Sequence, residues 1–141
     1  MSQENVEIVR RLYDYAPEAQ TLLNSGKDIR SHPWLLLWHP ECVLEEMDEA
    51  PDASAYHGRD GIVRYFERIF NEVWTEWRFV PQEFIDGPEG VFVAVANSGL
   101  SRTGIEVNMQ IFHTFRLRDR MIVHAKGRID RGAALSAVGL I

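Results

Sequence analysis

The sequence predicts an α+β fold, in which helices from the first half of the chain pack on an antiparallel sheet from the second half. Most apolar residues before about residue 75 recur three or four positions apart, which is helical spacing. Later residues alternate between apolar and polar over long runs, and the segment Asp86–Gly90 and the pair Thr103–Gly104 separate these runs as turn signals. Since no repeat and no flexible linker interrupts the 141 residues, we expect one domain over residues 1–141.

The first helix is predicted from an apolar stripe at helical spacing: Val6, Val9, Tyr13 and Ala16. Pro17 should end or kink this helix because proline has no backbone N–H to donate. Residues 18–25 can continue as a short helix closed by Gly26, since glycine readily adopts the left-handed conformation of a helix end. A further short helix is expected over Trp34–His39, with Pro33 at its first position and Pro40 ending it.

A change to period-two alternation predicts a strand over Cys42–Asp48, in which Leu44 and Glu46 share one face. The clearest helix follows at Arg59–Trp74. Its apolar stripe consists of Ile62, Phe66, Ile69, Phe70 and Val73.

The second half of the chain contains four predicted strands and a final helix. The strands are Glu76–Ile85, Val91–Leu100, Ile105–Leu117 and Met121–Asp130, and the helix is Arg131–Leu140. Along the third of these strands, alternation places His113 on the apolar face that points to the core, and Phe112 is the exception to the pattern. A histidine in that position is a candidate functional residue.

Composition excludes several classes of protein. The formal charge of −6 and the isoelectric point near 5.3 weigh against a nucleic-acid partner, which calls for basic excess. No apolar run is long enough to span a membrane, and the N-terminal residues lack a signal peptide's apolar core. Cys42 is the single cysteine, so no internal disulfide can form. We therefore expect a cytoplasmic protein.

Metal and cofactor signals are also missing from the sequence. His32, His39 and His57 lie on three predicted segments without the spacing of metal ligands. No glycine-rich phosphate loop, nucleophile elbow or HExxH pattern is present. The prediction is that neither a metal nor another cofactor is used.

Taken in order, six segments resemble the SnoaL-like branch of the nuclear-transport-factor-2-like superfamily. They are SQENVEIVRRLYD, HPECVLEE, YHGRDGIVRYFERIF, FIDGPEGVFVAV, IFHTFRLRDRMIV and DRGAAL. The resemblance implies a cystatin-like, cone-shaped α+β barrel, with helices packed in a strongly curved antiparallel sheet and a pocket between them. It also implies a homodimer that pairs through the outer sheet face. Members include ketosteroid isomerase, polyketide cyclases and limonene epoxide hydrolase, so the fold alone does not define the function.

Two positions correspond to catalytic residues of ketosteroid isomerase, one of these relatives. Glu46 aligns with the general-base aspartate, and His113 aligns with the protonated aspartate of the oxyanion hole. The oxyanion-hole tyrosine corresponds to Leu12, while Tyr13 lies one residue further along and about 100° around the helix. The resemblance thus implies acid–base chemistry, with Tyr13 near the site.

The chemistry of Glu46 and His113 fits such a role. A carboxylate in an apolar pocket suits proton abstraction next to a carbonyl, and a neutral histidine can donate a hydrogen bond to the enolate oxygen. The sequence leaves two simpler interpretations open: Glu46 as an exposed residue of an edge strand beside Glu45, and His113 as a hydrogen-bonded core histidine.

Asp130 and Arg128, near the end of the last predicted strand, are weaker candidates. Asp130 directly precedes the final helix and suits an N-cap, although a catalytic role remains open. Arg128 shares its strand face with Asp130 under strict alternation, so the two side chains could pair as a polar ligand anchor.

Aromatic side chains favour a pocket for a small apolar molecule, although such residues are equally common in cores. The predicted ligand-binding aromatics are Tyr13, Trp34, Trp38, Tyr56 and Phe66, with Trp74 and Trp77 as further candidates. Two functions follow from the sequence. One is an isomerase or cyclase acting on an apolar carbonyl compound, and the other is a non-catalytic homodimer that binds a small ligand in the same pocket.

Overall fold

The computed structural model describes residues 2–50 and 52–141, which form four helices, one π-helical turn and six strands. The helices are α1 (Ser2–Asn24), α2 (Pro33–Leu36), α3 (Gly58–Arg68) and α4 (Arg131–Ala137), and the π-helical turn Ile69–Val73 continues α3. The strands are β1 (Trp38–Glu45), β2 (Ala55–His57), β3 (Trp74–Gly87), β4 (Gly90–Ser101), β5 (Glu106–Arg118) and β6 (Met121–Arg128). The predicted α+β class is confirmed.

The six strands form one mixed sheet in the order β2-β1-β6-β5-β4-β3. All neighbours are antiparallel except β1 and β6, which run parallel. The expectation of a wholly antiparallel sheet was wrong in this one pairing. Parallel neighbours need a long crossover connection, and the chain from β2 to β5 supplies it.

Helices cover both faces of the sheet. On β4, Val93 belongs to the main core with α1 and α3, whereas the adjacent Phe92 and Ala94 pack with Ala134 and Val138 of α4. Because successive strand residues point to opposite faces, α4 covers the face opposite α1 and α3. We call the side facing α1 and α3 the inner face and the other side the outer face. The outward position of Phe112, the exception to its strand's alternation, is explained because it packs beside α4.

Pro17 does not end the first helix, since α1 continues through it to Asn24. Proline removes one helical hydrogen bond, but the buried residues Leu12, Ala19 and Leu23 keep both halves of α1 against the core. The packing of α1 against the core therefore outweighs the tendency of Pro17 to end the helix. Gly26 follows the helix with a φ of 70°, which is the left-handed conformation expected of it.

Other element ends differ from the predictions by a few residues. The short helix ends at Leu36 instead of His39, because β1 begins at Trp38 and pairs there with Ile122 of β6. The predicted helix to Trp74 gives way after Arg68 to the π-helical turn, and Trp74 is already the first residue of β3. The ends of β3 to β6 lie within two residues of their predicted positions.

In the part of the chain that the structure describes, none of the helices combines the length and the apolar character that crossing a bilayer requires.

Candidate functional site

A cavity of about 440 Å³ lies between α1, α3 and the inner face of the sheet. Its lining is mostly apolar and aromatic, which suits a small organic ligand. The main lining side chains are Leu12, Tyr13, Ala16, Trp34, Trp38, Leu44, Glu46, Met47, Tyr65, Phe66, Trp74, Trp77, Phe79, Asn97, Met109, Ile111, His113 and Phe115.

Tyr13 and His113 form a hydrogen-bonded pair in the wall of this cavity. The Tyr13 hydroxyl lies 2.6 Å from Nδ1 of His113, and the two rings are nearly parallel. Phe79, Phe84 and Phe115 surround the pair edge-on. Burial among these rings lowers the pKa of His113 to about 4 and raises the pKa of Tyr13. Both side chains are therefore neutral at pH 7.

The neutral pair keeps one hydrogen-bond donor for a ligand in either tautomer. If Tyr13 donates to Nδ1, the proton of His113 is on Nε2, and if Nδ1 donates to Tyr13, the hydroxyl proton is free. No side chain among residues 2–50 and 52–141 hydrogen-bonds to Nε2. The pair therefore presents one donor and one acceptor.

Glu46 lies directly after β1 and lines the same cavity. Its Oε1 accepts hydrogen bonds from the backbone N of Ser54 at 3.2 Å and the Ser54 hydroxyl at 3.1 Å. Nη1 of Arg68 lies 3.6 Å from the same oxygen, and the Glu46 side chain is only 8% exposed. The second oxygen, Oε2, has no hydrogen-bond partner within the described ranges. One carboxylate oxygen is anchored and the other is available to a ligand.

The strand register relates Glu46 to His113. His113 pairs with Gly127 of β6, and Glu45 pairs with Lys126, so Glu46 lies one step further along beside Gly127. Two strand spacings separate the Cα atoms of Glu46 and His113, which is about 10 Å. A Cβ at Gly127 would lie 3.1 Å from Cγ of Met47. Glycine at position 127 therefore leaves room between the side chains of Glu46 and His113.

Tyr56, predicted as a ligand-binding residue, does not line the cavity. Its hydroxyl accepts a hydrogen bond of 2.8 Å from Nη1 of Arg68, and its ring packs edge-on against Tyr65. Tyr56 therefore contacts Arg68, whose guanidinium group lies beside Glu46 in the cavity. Tyr65, which the sequence analysis missed, lines the cavity instead, and burial with the nearby charge of Glu46 raises its pKa.

Asp130 and Arg128 do not belong to the residues that line the cavity. Asp130 is exposed and accepts a hydrogen bond of 2.8 Å from the backbone N of Ala133, so it is the N-cap of α4. Arg128 points to the outer face, where it donates to the hydroxyl of Thr114 and forms no ion pair with Asp130. The strand ends at Arg128, so the alternation that would pair it with Asp130 does not extend that far.

Among the other predicted aromatics, Trp34, Trp38 and Phe66 line the cavity, as do Trp74 and Trp77. The sequence analysis missed Asn97, a β4 residue that is 7% exposed and lines the cavity beside Trp77. The alternation of β4 accounts for the position of Asn97 on the inner face. Its hydrogen bond with Trp77 depends on how β4 packs beside β3.

Histidine and acidic residues meet in pairs outside the cavity, as His124 and Glu45 do. Within the described residues, no group of three or more such side chains has the geometry to hold a metal ion. Cys42 is buried, and burial raises the pKa of its thiol.

The architecture and this cavity define a class of protein: a helix-covered mixed sheet around an apolar pocket with a few acid–base groups. Within that class, the model of the SnoaL-like domain family matches residues 22–125, roughly three quarters of the chain. The chain belongs to this family, so the suspected resemblance is confirmed. A search of proteins with curated descriptions found no match.

Solved structures share this fold at low sequence identity. An NTF2-like protein of unknown function from Burkholderia pseudomallei is 19% identical, with a TM-score of 0.70 over 96% of this chain and 97% of that one. TerC, co-crystallised with polyporic acid, is 20% identical, with a TM-score of 0.70 over 96% and 98%. A protein from Jannaschia sp. CCS1, described as a SnoaL-like polyketide cyclase, is 17% identical, with a TM-score of 0.66 over 99% and 94%. These similarities establish the fold.

Proposed function

We propose that the chain is an acid–base enzyme that isomerises or cyclises a small, largely apolar carbonyl compound. Glu46 is the general base, and the Tyr13–His113 pair donates a hydrogen bond to the carbonyl oxygen. One observation carries the proposal: a carboxylate oxygen without a protein partner and a neutral donor pair line the same apolar cavity.

The reaction begins with removal of a proton from the carbon next to the carbonyl. Oε2 of Glu46 takes the proton, the C–H electron pair forms a carbon–carbon double bond, and the carbonyl π electrons move to oxygen. In a β,γ-unsaturated carbonyl compound the enolate is a dienolate, and protonated Glu46 returns the proton to the γ carbon while the oxygen electrons re-form the carbonyl and the double bond shifts to the α,β position, which is an isomerisation. In a cyclisation, the enolate carbon attacks a second carbonyl of the same molecule, and the new alkoxide takes the proton.

The Tyr13–His113 pair stabilises the negative charge that develops on the oxygen. A neutral donor of fixed orientation in an apolar cavity interacts more strongly with an oxyanion than with the ground-state carbonyl. Removing one such donor typically lowers kcat by about 10²–10³-fold. Because His113 stays neutral at pH 7, it acts as a hydrogen-bond donor and leaves the proton transfer to Glu46.

Ser54 and Arg68 orient the base. Three donor atoms meet Oε1, which holds the carboxylate so that Oε2 is directed away from them. The same contacts also favour the second candidate function, a non-catalytic ligand-binding protein, because they would equally fix a structural carboxylate. The co-crystallisation of TerC with polyporic acid supports a small organic ligand in either case.

The test uses 2-tetralone, a flat ketone with acidic protons next to its carbonyl. Enzyme-dependent exchange of these protons with D₂O is followed by NMR, and 2-naphthol, which resembles the enolate, measures ligand binding separately. Glu46→Gln should lower the exchange rate by roughly 10²–10⁴-fold, the usual contribution of a general base, with 2-naphthol affinity changed by less than about threefold. Glu41→Gln, at an exposed position on β1, is the matched control and should exchange at the wild-type rate.

Equal exchange rates in the wild type and Glu46→Gln would refute the catalytic role. Binding of 2-naphthol without measurable exchange by the wild type would favour the non-catalytic function.

We also propose that two copies pair through the outer face of the sheet. Beyond α4, this face carries the uncharged residues Val80, 47% exposed, and Gln82, hydrogen-bonded to Gln110 at 3.1 Å, with charged residues such as Arg78 and Glu83 beside them. A mixed patch of this kind can pack against its own copy around a two-fold axis.

A further inference from the structure

Asn97 is a buried amide in the cavity wall, on the inner face of β4. Its Oδ1 accepts a hydrogen bond of 2.5 Å from Nε1 of Trp77. The indole nitrogen of tryptophan can only donate, so this contact defines which end of the amide is oxygen and which is nitrogen. The NH₂ group must therefore point away from Trp77.

The Nδ2 group of Asn97 has no protein acceptor among residues 2–50 and 52–141. It is also not sealed in the core: within the same residues, the fully buried side-chain polar atom that lacks a partner is Nε1 of Trp38. Asn97 is 93% buried, and the space that its NH₂ group can reach is the cavity. A buried donor without an acceptor is costly, so a ligand acceptor at this point would be favourable.

Asn97 lies far from the Tyr13–His113 pair. It pairs across the strands with Met109, and His113 lies four residues further along β5 on the same face. At about 3.3 Å per residue, the Cα atoms of Met109 and His113 are about 13 Å apart. Asn97 thus adds a hydrogen-bonding group to the cavity at a distance along the sheet from the Tyr13–His113 pair.

Aromatic rings connect Asn97 with the Tyr13–His113 pair. Phe79 packs edge-on against His113 with ring centroids 5.2 Å apart, and Trp77 lies 4.3 Å from Phe79. Trp74 stacks on Trp77 at 5.9 Å. The wall between these polar groups is therefore a continuous aromatic surface, which favours a flat and elongated ligand.

We propose that Asn97 is a specificity-determining residue that binds a second hydrogen-bond acceptor at the far end of the ligand. The ligand class is an elongated, flat, mostly aromatic molecule with a carbonyl at the Tyr13–His113 end and a neutral oxygen acceptor at the Asn97 end. The inference rests on the proposed function for the identity of the ligand cavity, but it requires binding and not turnover.

Equilibrium binding of two matched biphenyls tests the proposal. The first probe is 4-acetyl-4′-hydroxybiphenyl, whose phenolic oxygen replaces the enolate oxygen at the Tyr13–His113 end and whose acetyl oxygen is the neutral acceptor at the Asn97 end. The second is 4-isopropyl-4′-hydroxybiphenyl, in which an apolar group of similar shape replaces the acetyl. Asn97→Leu should shift the ratio of the two Kd values against the acetyl compound by roughly two- to tenfold, the range expected of one neutral hydrogen bond. Asn97→Met, which also lacks a donor, repeats the test if the leucine variant folds poorly. Asn108→Leu, on the outer face of β5, is the matched control.

An unchanged Kd ratio in a folded Asn97 variant would overturn the inference and leave the proposed function in place. Failure of the wild type to bind either biphenyl would also overturn the inference, whereas the proposed function is overturned only if the exchange of 2-tetralone protons does not depend on Glu46.

Discussion

At the scale of single residues, the Tyr13–His113 pair shows how burial selects a protonation state. No carboxylate touches His113, and the rings around it solvate the imidazolium ion poorly, so the pKa falls to about 4. The histidine is then neutral at pH 7, and the Tyr13–His113 pair offers one hydrogen-bond donor in either tautomer.

This lowered pKa makes stability dependent on pH. In the unfolded chain His113 has a pKa near 6.5, so below that pH protonation stabilises the unfolded state and not the native one. The free energy of unfolding should fall by about 3 kcal/mol from this residue as the pH drops from 6.5 to 4. Urea unfolding at pH 7.5 and 4.5 measures the loss, and His113→Gln should reduce it. His57→Gln, at an exposed position, controls for the removal of a histidine, and an equal loss in the wild type and His113→Gln would disprove the assignment.

Residue-scale prediction from the sequence succeeds where alternation decides the side-chain direction. His113 was assigned to the inward face by a period of two, whereas Glu46 was expected at the site only from the family resemblance, and both line the cavity. Arg68 and Tyr65 were not found, because their contacts with Glu46 depend on how α3 packs beside the end of β1. No local pattern encodes that packing.

At the scale of elements, Asp130 had two interpretations from the sequence, a helix N-cap and a catalytic acid. Its carboxylate is engaged by the backbone at the start of α4, a helix of seven residues that packs on the outer face. A short helix depends strongly on such a cap, because most of its backbone N–H groups have no partner within the helix.

Substitutions of Asp130 separate a cap from a catalytic acid. Asp130→Ala should lower the free energy of unfolding by about 1 kcal/mol, whereas Asp130→Asn should retain most of it because asparagine is also a good N-cap. Thermal and urea unfolding measure both variants, and exchange of 2-tetralone protons should be unchanged in both. A loss of exchange in a stable Asp130→Asn variant would return Asp130 to the catalytic site.

At the scale of the whole molecule, most of the architecture follows from the sequence. Long alternating strands with clear turn signals predict β3 to β6, because each hairpin is a local structure. The parallel pairing of β1 with β6 was not predicted, since it joins segments about 80 residues apart and no turn signal records it. A cavity was expected from the family resemblance and from the aromatic residues, but its volume was not predicted, because the volume depends on the distance between the helices and the sheet.

The proposed dimer and the proposed single domain can be tested together by thermal unfolding. A homodimer that unfolds with dissociation should have a Tm that rises with protein concentration, in one cooperative transition over the chain. Sedimentation equilibrium gives the mass, and Val80→Lys on the outer face should weaken the association. A concentration-independent Tm with a monomer mass would rule out the dimer, and two separate transitions would rule out the single domain.

The position of β6 between β1 and β5 has a consequence for the order of folding. Glu46 follows β1 and His113 lies on β5, and the two strands are joined in the sheet only through β6, the last strand to be synthesised. The hairpins of β3 to β5 can form as the chain emerges, but closing the sheet across β1 has a large loop-closure cost. Both sides of the cavity are therefore expected to come together only once β6 has been synthesised and has paired with β1.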